Sequence, residues 1–382
     1  MKLDIGCGDK PLPGFVAVDI KAGSAGYPLT FDDGAAEEIY ASHVLEHFSH
    51  RQVSAVLADW VRVLKPGGVL RLAVPDFEII ARAYLEGQKI PVQGYVMGGH
   101  VDEHDRHGCL FDGEALEDAM RQAGLVAVGR WRSQNADCSA LPVSLNLQGT
   151  KPPSVWPKTA AVISIPRLGW NDMWGCTINA LGPLGIPITR VTGAFWDQCL
   201  TRGIHEALEN GPEWILTLDY DTVFTAEDVR TLLLLAARNP HVDALAALQS
   251  HRSKPTALFT IVDGHGKRES QIAMDSMHED LLRVDTAHFG LTLLRASAFS
   301  ELAKPWFLAI PDTSGEWGEG RVDSDIAFWR GWKAAGKSLF VANRVPVGHI
   351  EPMIRWPGKD LQVTLQHPTE FNSAGKPESV WR

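Results

Sequence analysis

Three prolines in six positions, Pro152, Pro153 and Pro157, cut this chain in two. Each fixes φ and lacks a backbone donor, so neither a helix interior nor a central strand can run through them. The stretch 148–158 therefore reads as a linker between one domain over residues 1–147 and another over 159–355. Beyond it, residues 356–382 mix proline, glycine and polar side chains without periodicity and read as a loosely structured extension. A length of 382 residues suits this division, because single domains typically run to about 100–200 residues.

With 45% hydrophobic and 21% charged residues, each half can bury a core, and disordered, collagen-like and coiled-coil chains are excluded. No run approaches the ~18 apolar residues of a membrane span. The start, MKLDIGCGDK, has neither the basic nor the apolar region of a secretory signal, so the cytoplasm is the expected compartment. Five cysteines without a C-x-x-C pair argue against a disulfide framework or a zinc knuckle. Residues 1–154 carry 14 Lys and Arg against 20 Asp and Glu, and residues 155–382 carry 22 against 26. Neither half has the basic excess of a protein that grips nucleic acid through its phosphates. The 13 tryptophans suit stacking on sugar rings, but most are accounted for as core.

In the first half, KLDIGCG (2–8) is a short apolar strand ending in two glycines, and FVAVDI (15–20) is a second strand closing on Asp19. Glycines after a parallel strand allow close approach of a ligand, and an acid ending the next strand can accept from a ribose diol. The intervening GDKPLPG holds two prolines, so no helix fits there and a dinucleotide pyrophosphate has no helix N-terminus to rest on. A helix is expected over 51–64, a turn and buried strand over LKPGGVLRLAVPDF (64–77), and a closing helix and strand over 111–131. Together these segments resemble the compact class I S-adenosylmethionine-dependent methyltransferases over about residues 1–130. The resemblance places Asp4, Gly6 and Gly8 in the glycine loop, Asp19 at the ribose, SHVLEHF (42–48) at the fourth-strand motif and LKPGG (64–68) before the fifth strand. It implies a Rossmann-like fold and S-adenosylmethionine as cofactor. The first helix is missing and the third strand is poorly represented, which leaves Asp32 or Asp33 as the adenine-side acid. His43, Glu46 and His47 fall where a methyl acceptor approaches, although histidines there serve as often as structural hydrogen-bonding residues.

In the second half, EWILTLDYDTVF (213–224) is a buried strand ending in Asp219-x-Asp221. Side chains repeat every two residues, so both carboxylates emerge on one face at the strand's carboxyl end, where α/β sheets bind ligands. Paired carboxylates repel unless bridged, and a hard cation such as Mn²⁺ or Mg²⁺ is the usual bridge. Thr225 to Asp228 reads as a capping box opening a helix that runs to about residue 239. At this point residues 159–352 resemble the GT-A fold of nucleotide-sugar glycosyltransferases, near their second family, a Rossmann-like mixed sheet. The resemblance implies that Asp219, Asp221 and His349 hold the metal and that Asp325, with Asp323 as rival, deprotonates the acceptor. It sets Pro166, Arg167, Asp197, Arg202 and Asp219 near the nucleotide sugar, and it leaves inversion or retention open. Trp317, Trp329 and Trp332 are the candidates for acceptor stacking, with Trp329 and Trp332 equally readable as core because they stand at helical spacing.

The fold class is thus α/β in both halves. The expected protein is a metal-dependent glycosyltransferase using a nucleotide-diphosphate sugar, UDP-sugar foremost, fused to a methyltransferase-like domain acting on the sugar or the acceptor. The acceptor is a glycan, a protein, a lipid-linked glycan or a modified nucleic-acid base. The alternatives are a non-catalytic first domain that docks the acceptor, and, ranked lower, a nucleotidyltransferase second domain.

Overall fold

The protein is described from a computed structural model covering residues 1–165, 169–250, 257–262, 268–269, 279–357 and 362–380. The first domain runs β1 (Lys2–Ile5), β2 (Val16–Val18), β3 (Ala36–Ser42), α1 (Val53–Val63), β4 (Leu64–Pro75), α2 (Phe77–Leu85), α3 (Val92–Met97), α4 (Gly113–Gln122), β5 (Val126–Arg130) and β6 (Ser144–Thr150). Its sheet has the order β2-β1-β3-β4-β6-β5. The first four strands are parallel, and β6 lies antiparallel to both β4 and β5. The sheet ends at β2, and no helix separates β1 from β2, as the prolines between them require.

Helix α1 forms because Val53, Val56, Leu57, Trp60 and Val61 fall on one apolar stripe that the sheet buries. Trp60 lies wholly inside and satisfies its indole N–H on the Gly26 carbonyl at 2.7 Å. Asp76 and Asp112 cap α2 and α4 by accepting from backbone N–H groups of the first turn. The expected LKPGG turn is absorbed into β4, which starts at Leu64 and pairs with β3 through a register shift between Ala36 and Glu38. Strand β6 continues to Thr150, so the linker expected from residue 148 begins after residue 150. The prolines stop the strand, but Gln148, Gly149 and Thr150 precede them and still pair with β4.

The second domain runs β7 (Thr159–Ile165), α5 (Asn171–Leu181), β8 (Ile188–Thr192), α6 (Trp196–Leu208), β9 (Trp214–Asp219), β10 (Thr222–Val223), α7 (Ala226–Arg238) and β11 (Ala244–Gln249). It continues through β12 (Phe259–Val262), β13 (Arg268–Glu269), β14 (Leu281–Arg283), β15 (Thr286–Ala287), β16 (Leu291–Arg295), α8 (Ser324–Ala334) and β17 (Leu339–His349). The main path through its sheet is β8-β7-β9-β16-β11-β17-β10. Strands β8, β7 and β9 are parallel, β16 is antiparallel to both neighbours, and β11 and β17 are parallel again. The sheet is therefore mixed, with parallel pairs on both sides of an antiparallel β16. Each face has its own core: Met173 of α5 and Val229, Leu232 and Leu233 of α7 cover one, and Leu200 and Ile204 of α6 with Phe328, Trp329 and Trp332 of α8 cover the other. The capping box at α7 forms as its residues predict, with Thr225 Oγ1 accepting from Asp228 N–H and Asp228 Oδ2 accepting from Thr225 N–H.

The expected loose extension is instead a hairpin and a helix, β18 (Ile354–Pro357), β19 (Val363–Gln366) and α9 (Pro368–Ala374). Backbone pairing supplies the order that the side-chain pattern lacks. The two domains meet where β5 bulges: Ala127 takes a φ of 53°, and its N–H donates to Glu227 of α7 at 2.9 Å. Arg121 pairs with the same carboxylate at 3.0 Å, and Arg238 donates to Thr150 and to the Gly67 carbonyl.

Candidate functional site

In the first domain the carboxyl ends of β1, β2 and β3 open onto a cavity of about 640 Å³, within the ~300–1,000 Å³ range of small-molecule sites. Gly6, Gly8, Asp19 and His43 line it. Gly6 and Gly8 adopt φ of 69° and 57°, the left-handed region that favours glycine, and a Cβ on Gly6 would lie 2.3 Å from Val44 Cγ2. Asp19 is buried, and its two oxygens accept from Gly8 N–H and Lys21 N–H, both at 2.9 Å, which fixes the carboxylate at the cavity wall. His43 follows β3 with φ of 55° and a backbone N–H held by the Ala73 carbonyl, a strained placement of the kind found at functional sites.

Two residues expected here lie elsewhere. Asp4 is buried away from the cavity lining, accepts from Leu12 N–H at 2.7 Å and has a pKa raised by burial, so it braces the glycine loop. Asp32 is exposed and outside the lining, and its neighbour Asp33 pairs with Arg62 at 2.7 Å. The adenine-side acid expected from either is therefore corrected: the chain turns both outward before β3. The wall holds instead Phe48, the last residue of the SHVLEHF motif, with Tyr27 and the segment 102–106, which sequence spacing did not single out.

Beside this cavity lies a cluster that only folding assembles. One ligand atom each from Glu46, His47 and His107 lie within 4.8 Å of one another, the single such group of three among the described residues. Glu46 is 1% exposed, and neither of its oxygens has a hydrogen-bond partner. Its ion-pair partner, His43 Nδ1, stands 3.3 Å away in an alignment too poor for a hydrogen bond. Burial pushes the His107 pKa down. His107 arrives because Gly108 and Cys109 donate their N–H groups to the Glu46 carbonyl at 2.7 and 3.4 Å. Only glycine permits this approach, since a Cβ on Gly108 would lie 2.5 Å from the Phe48 carbonyl oxygen.

In the second domain Asp219 ends β9 and Asp221 precedes β10, as the strand pattern implies. Asp221 is buried, and His349 Nε2 lies 3.5 Å from its Oδ2, because β10 pairs with β17 in a register that sets Thr222 opposite His349. His349 Nδ1 faces the Ser250 carbonyl at 3.1 Å and donates to it, which fixes the ring with Nε2 toward Asp221. Asp219 Oδ1 accepts from Trp196 Nε1 at 2.8 Å. The structure thus brings Asp221 and His349 together, while Asp219, Asp221 and His349 do not form a three-ligand group within 4.8 Å.

Asp325 sits in the first turn of α8, where burial raises its pKa and Ile326 N–H donates to its Oδ1 at 2.8 Å. Asp323 is exposed and paired with Arg321 at 2.9 Å, which makes it the poorer base. Trp329 is 1% exposed, stacks on Phe289 and donates its indole N–H to the Ala287 carbonyl, so its expected acceptor role is corrected to core packing. Helical spacing put its ring on the buried face of α8. Trp317 is 59% exposed. Arg202 donates to the Thr192 carbonyl at the end of β8, and Asp197 lies in the first turn of α6. Pro166 and Arg167 lie outside the described residues.

Residues 16–129 match the family described as Methyltransferase domain, a match that begins after the glycine loop. No curated protein matches the chain. Among solved structures, A197 from STIV is 15% identical, with 55% of this chain and 94% of that one covered at a TM-score of 0.38. GalNAc-T7, solved with UDP, GalNAc and Mn²⁺, is 13% identical, with 53% and 45% covered at a TM-score of 0.38. A SAM-dependent methyltransferase from Thermotoga maritima is 18% identical, with 39% and 81% covered at a TM-score of 0.27. Among the described residues no helix is long and apolar enough to cross a membrane. The chain thus joins an N-terminal α/β domain, within which residues 16–129 match the methyltransferase-domain family, to a C-terminal α/β domain built on a mixed sheet.

Proposed function

We propose that the protein is a bifunctional transferase, in which the first domain moves a methyl group from S-adenosylmethionine and the second moves a sugar from a nucleotide-diphosphate sugar, UDP-sugar foremost. The methyl-transfer half is carried by the cavity at the ends of β1 to β3, where two left-handed glycines and a fixed, buried Asp19 stand together. The open space beside Gly8 and the Asp19 carboxylate suit a nucleoside with a ribose diol. S-adenosylmethionine supplies the electrophilic methyl; Asp19 orients it through the ribose, and Tyr27 and Phe48 give the wall an apolar face.

The sugar-transfer half rests on the Asp221–His349 pair beyond β9. Two carboxylates and an imidazole are a donor set that fits Mn²⁺ or Mg²⁺. Asp219, Asp221 and His349 would hold it, and when bound the cation neutralises the diphosphate leaving group. Asp325, whose raised pKa brings it nearer neutrality, takes the proton of the acceptor hydroxyl, and Trp317 offers an exposed face for a sugar ring.

Calorimetric titration of the full chain tests both halves. UDP in Mn²⁺ is expected to bind, and to lose that binding in Asp219→Ala and Asp221→Ala. S-adenosylhomocysteine is expected to bind all three proteins alike. Absence of nucleotide-diphosphate binding refutes the sugar-transfer half, and absence of S-adenosylhomocysteine binding refutes the other.

A further inference from the structure

We infer that Glu46, His47 and His107 form a divalent transition-metal site at the edge of the first domain's cavity, of the two-histidine, one-carboxylate type that takes zinc or a similar cation and leaves coordination positions open. Convergence within 4.8 Å is one observation. A second, independent one is the state of Glu46: a carboxylate buried to 1% exposure with both oxygens lacking hydrogen-bond partners is costly unless a cation satisfies it.

The third observation is the way both imidazoles are held. His47 Nδ1 faces the Arg106 carbonyl at 3.2 Å, and His107 Nδ1 faces the Tyr95 carbonyl at 3.1 Å. A carbonyl only accepts, so each Nδ1 carries the proton and each Nε2 is left with its lone pair. Backbone carbonyls on the far nitrogens are the usual outer support of metal-binding histidines. Imidazole favours zinc, iron and nickel over magnesium and calcium, and a His₂Glu set with open positions is a catalytic rather than a purely structural arrangement.

His47 also lines the cavity, so an oxygen of the molecule to be methylated can enter the open coordination positions. A cation held by Glu46, His47 and His107 would lower the pKa of a substrate hydroxyl, so that its proton would pass to solvent and its oxygen would take the methyl group as the bond to the S-adenosylmethionine sulfur breaks and S-adenosylhomocysteine leaves. This substrate class, a hydroxyl or vicinal diol, rests on the methyl-transfer reading above; the metal site does not.

The test uses the full chain in the Asp221→Ala/His349→Ala background, which removes two of the three ligands assigned to the second domain. After stripping with chelator, titration with Co²⁺ is expected to yield visible d–d absorption saturating at one equivalent per chain. Glu46→Gln and His107→Ala are each expected to weaken that binding by at least about tenfold. A measurement that needs no variant runs beside it: Zn²⁺ is expected to protect His47 and His107 of the unaltered protein from diethyl pyrocarbonate, read by peptide mass mapping. Absence of Co²⁺ binding, binding indifferent to both substitutions, or modification of both histidines at the same rate with and without Zn²⁺ would overturn the proposal. S-adenosylhomocysteine titration of the same metal-free samples separates the two claims, since it reports the methyltransferase reading whatever the Co²⁺ result.

Discussion

Alanine at Gly6 and at Gly8 should have unequal consequences, and the difference measures how tightly the glycine loop is packed against the cavity wall. Both residues have positive φ, so each substitution incurs about 1–2 kcal/mol for holding an L-residue in the left-handed region. At Gly8 nothing lies within 4 Å of the new Cβ, and the cost ends there. At Gly6 the Cβ would lie 2.3 Å from Val44 Cγ2 and 3.3 Å from Cγ1, so the short, stiff valine must move, which adds about 1–3 kcal/mol of overpacking. For a domain of this size each kcal/mol shifts the melting temperature by roughly 2–4 °C, so Gly6→Ala should melt roughly 2–12 °C below Gly8→Ala. Scanning calorimetry can assign the first domain's transition as the one that S-adenosylhomocysteine raises. Val44 lines the same cavity, so Gly6→Ala should also lose more affinity for that ligand than Gly8→Ala. Equal melting temperatures, or a larger loss at Gly8, would refute the packing argument.

Three further outcomes are expected. Because burial raises the Asp325 pKa above its ordinary value, the stability this residue contributes is complete below the unfolded pKa of about 4 and is lost as pH rises through the folded value. Asp325→Asn should therefore be at least as stable as the parent at neutral pH while losing sugar transfer; a lower melting temperature at pH 7 would contradict burial as the cause. Trp329→Ala should destabilise the second domain by about 3–5 kcal/mol in denaturant titration, whereas the exposed Trp317→Ala should stay within about 0.5 kcal/mol and raise the acceptor KM instead. His349→Ala should weaken UDP binding in Mn²⁺ by about tenfold or more, with no change in EDTA, and equal losses in both buffers would remove His349 from the metal.

What could be read from sequence, and what could not, follows from how each residue reaches its place. Asp19 and Asp219 end apolar strands, and α7 carries its own capping box; such features are local, and pattern alone locates them. Trp329 shows the limit of spacing. An i, i+3 pair on a helix is equally a core stripe and a binding face, and only the packing of α8 against Phe289 and Ala287 decides for the core. Asp32 was legible as an acid near the right strand but not in its direction, because the turn before β3 aims it at solvent.

His107 was beyond reach for a different reason. The loop that carries it is joined to Glu46 by backbone hydrogen bonds from Gly108 and Cys109, and backbone pairing leaves little trace in side-chain pattern. Its one trace is Gly108, which has no turn to serve. With φ outside the left-handed region, a glycine whose Cβ would strike a backbone carbonyl marks a close approach rather than a turn. Replacing it with alanine must therefore push the loop off Phe48 and carry His107 away from Glu46 and His47. Of the cluster's members, the one most distant in sequence is thus placed by a residue that binds nothing itself.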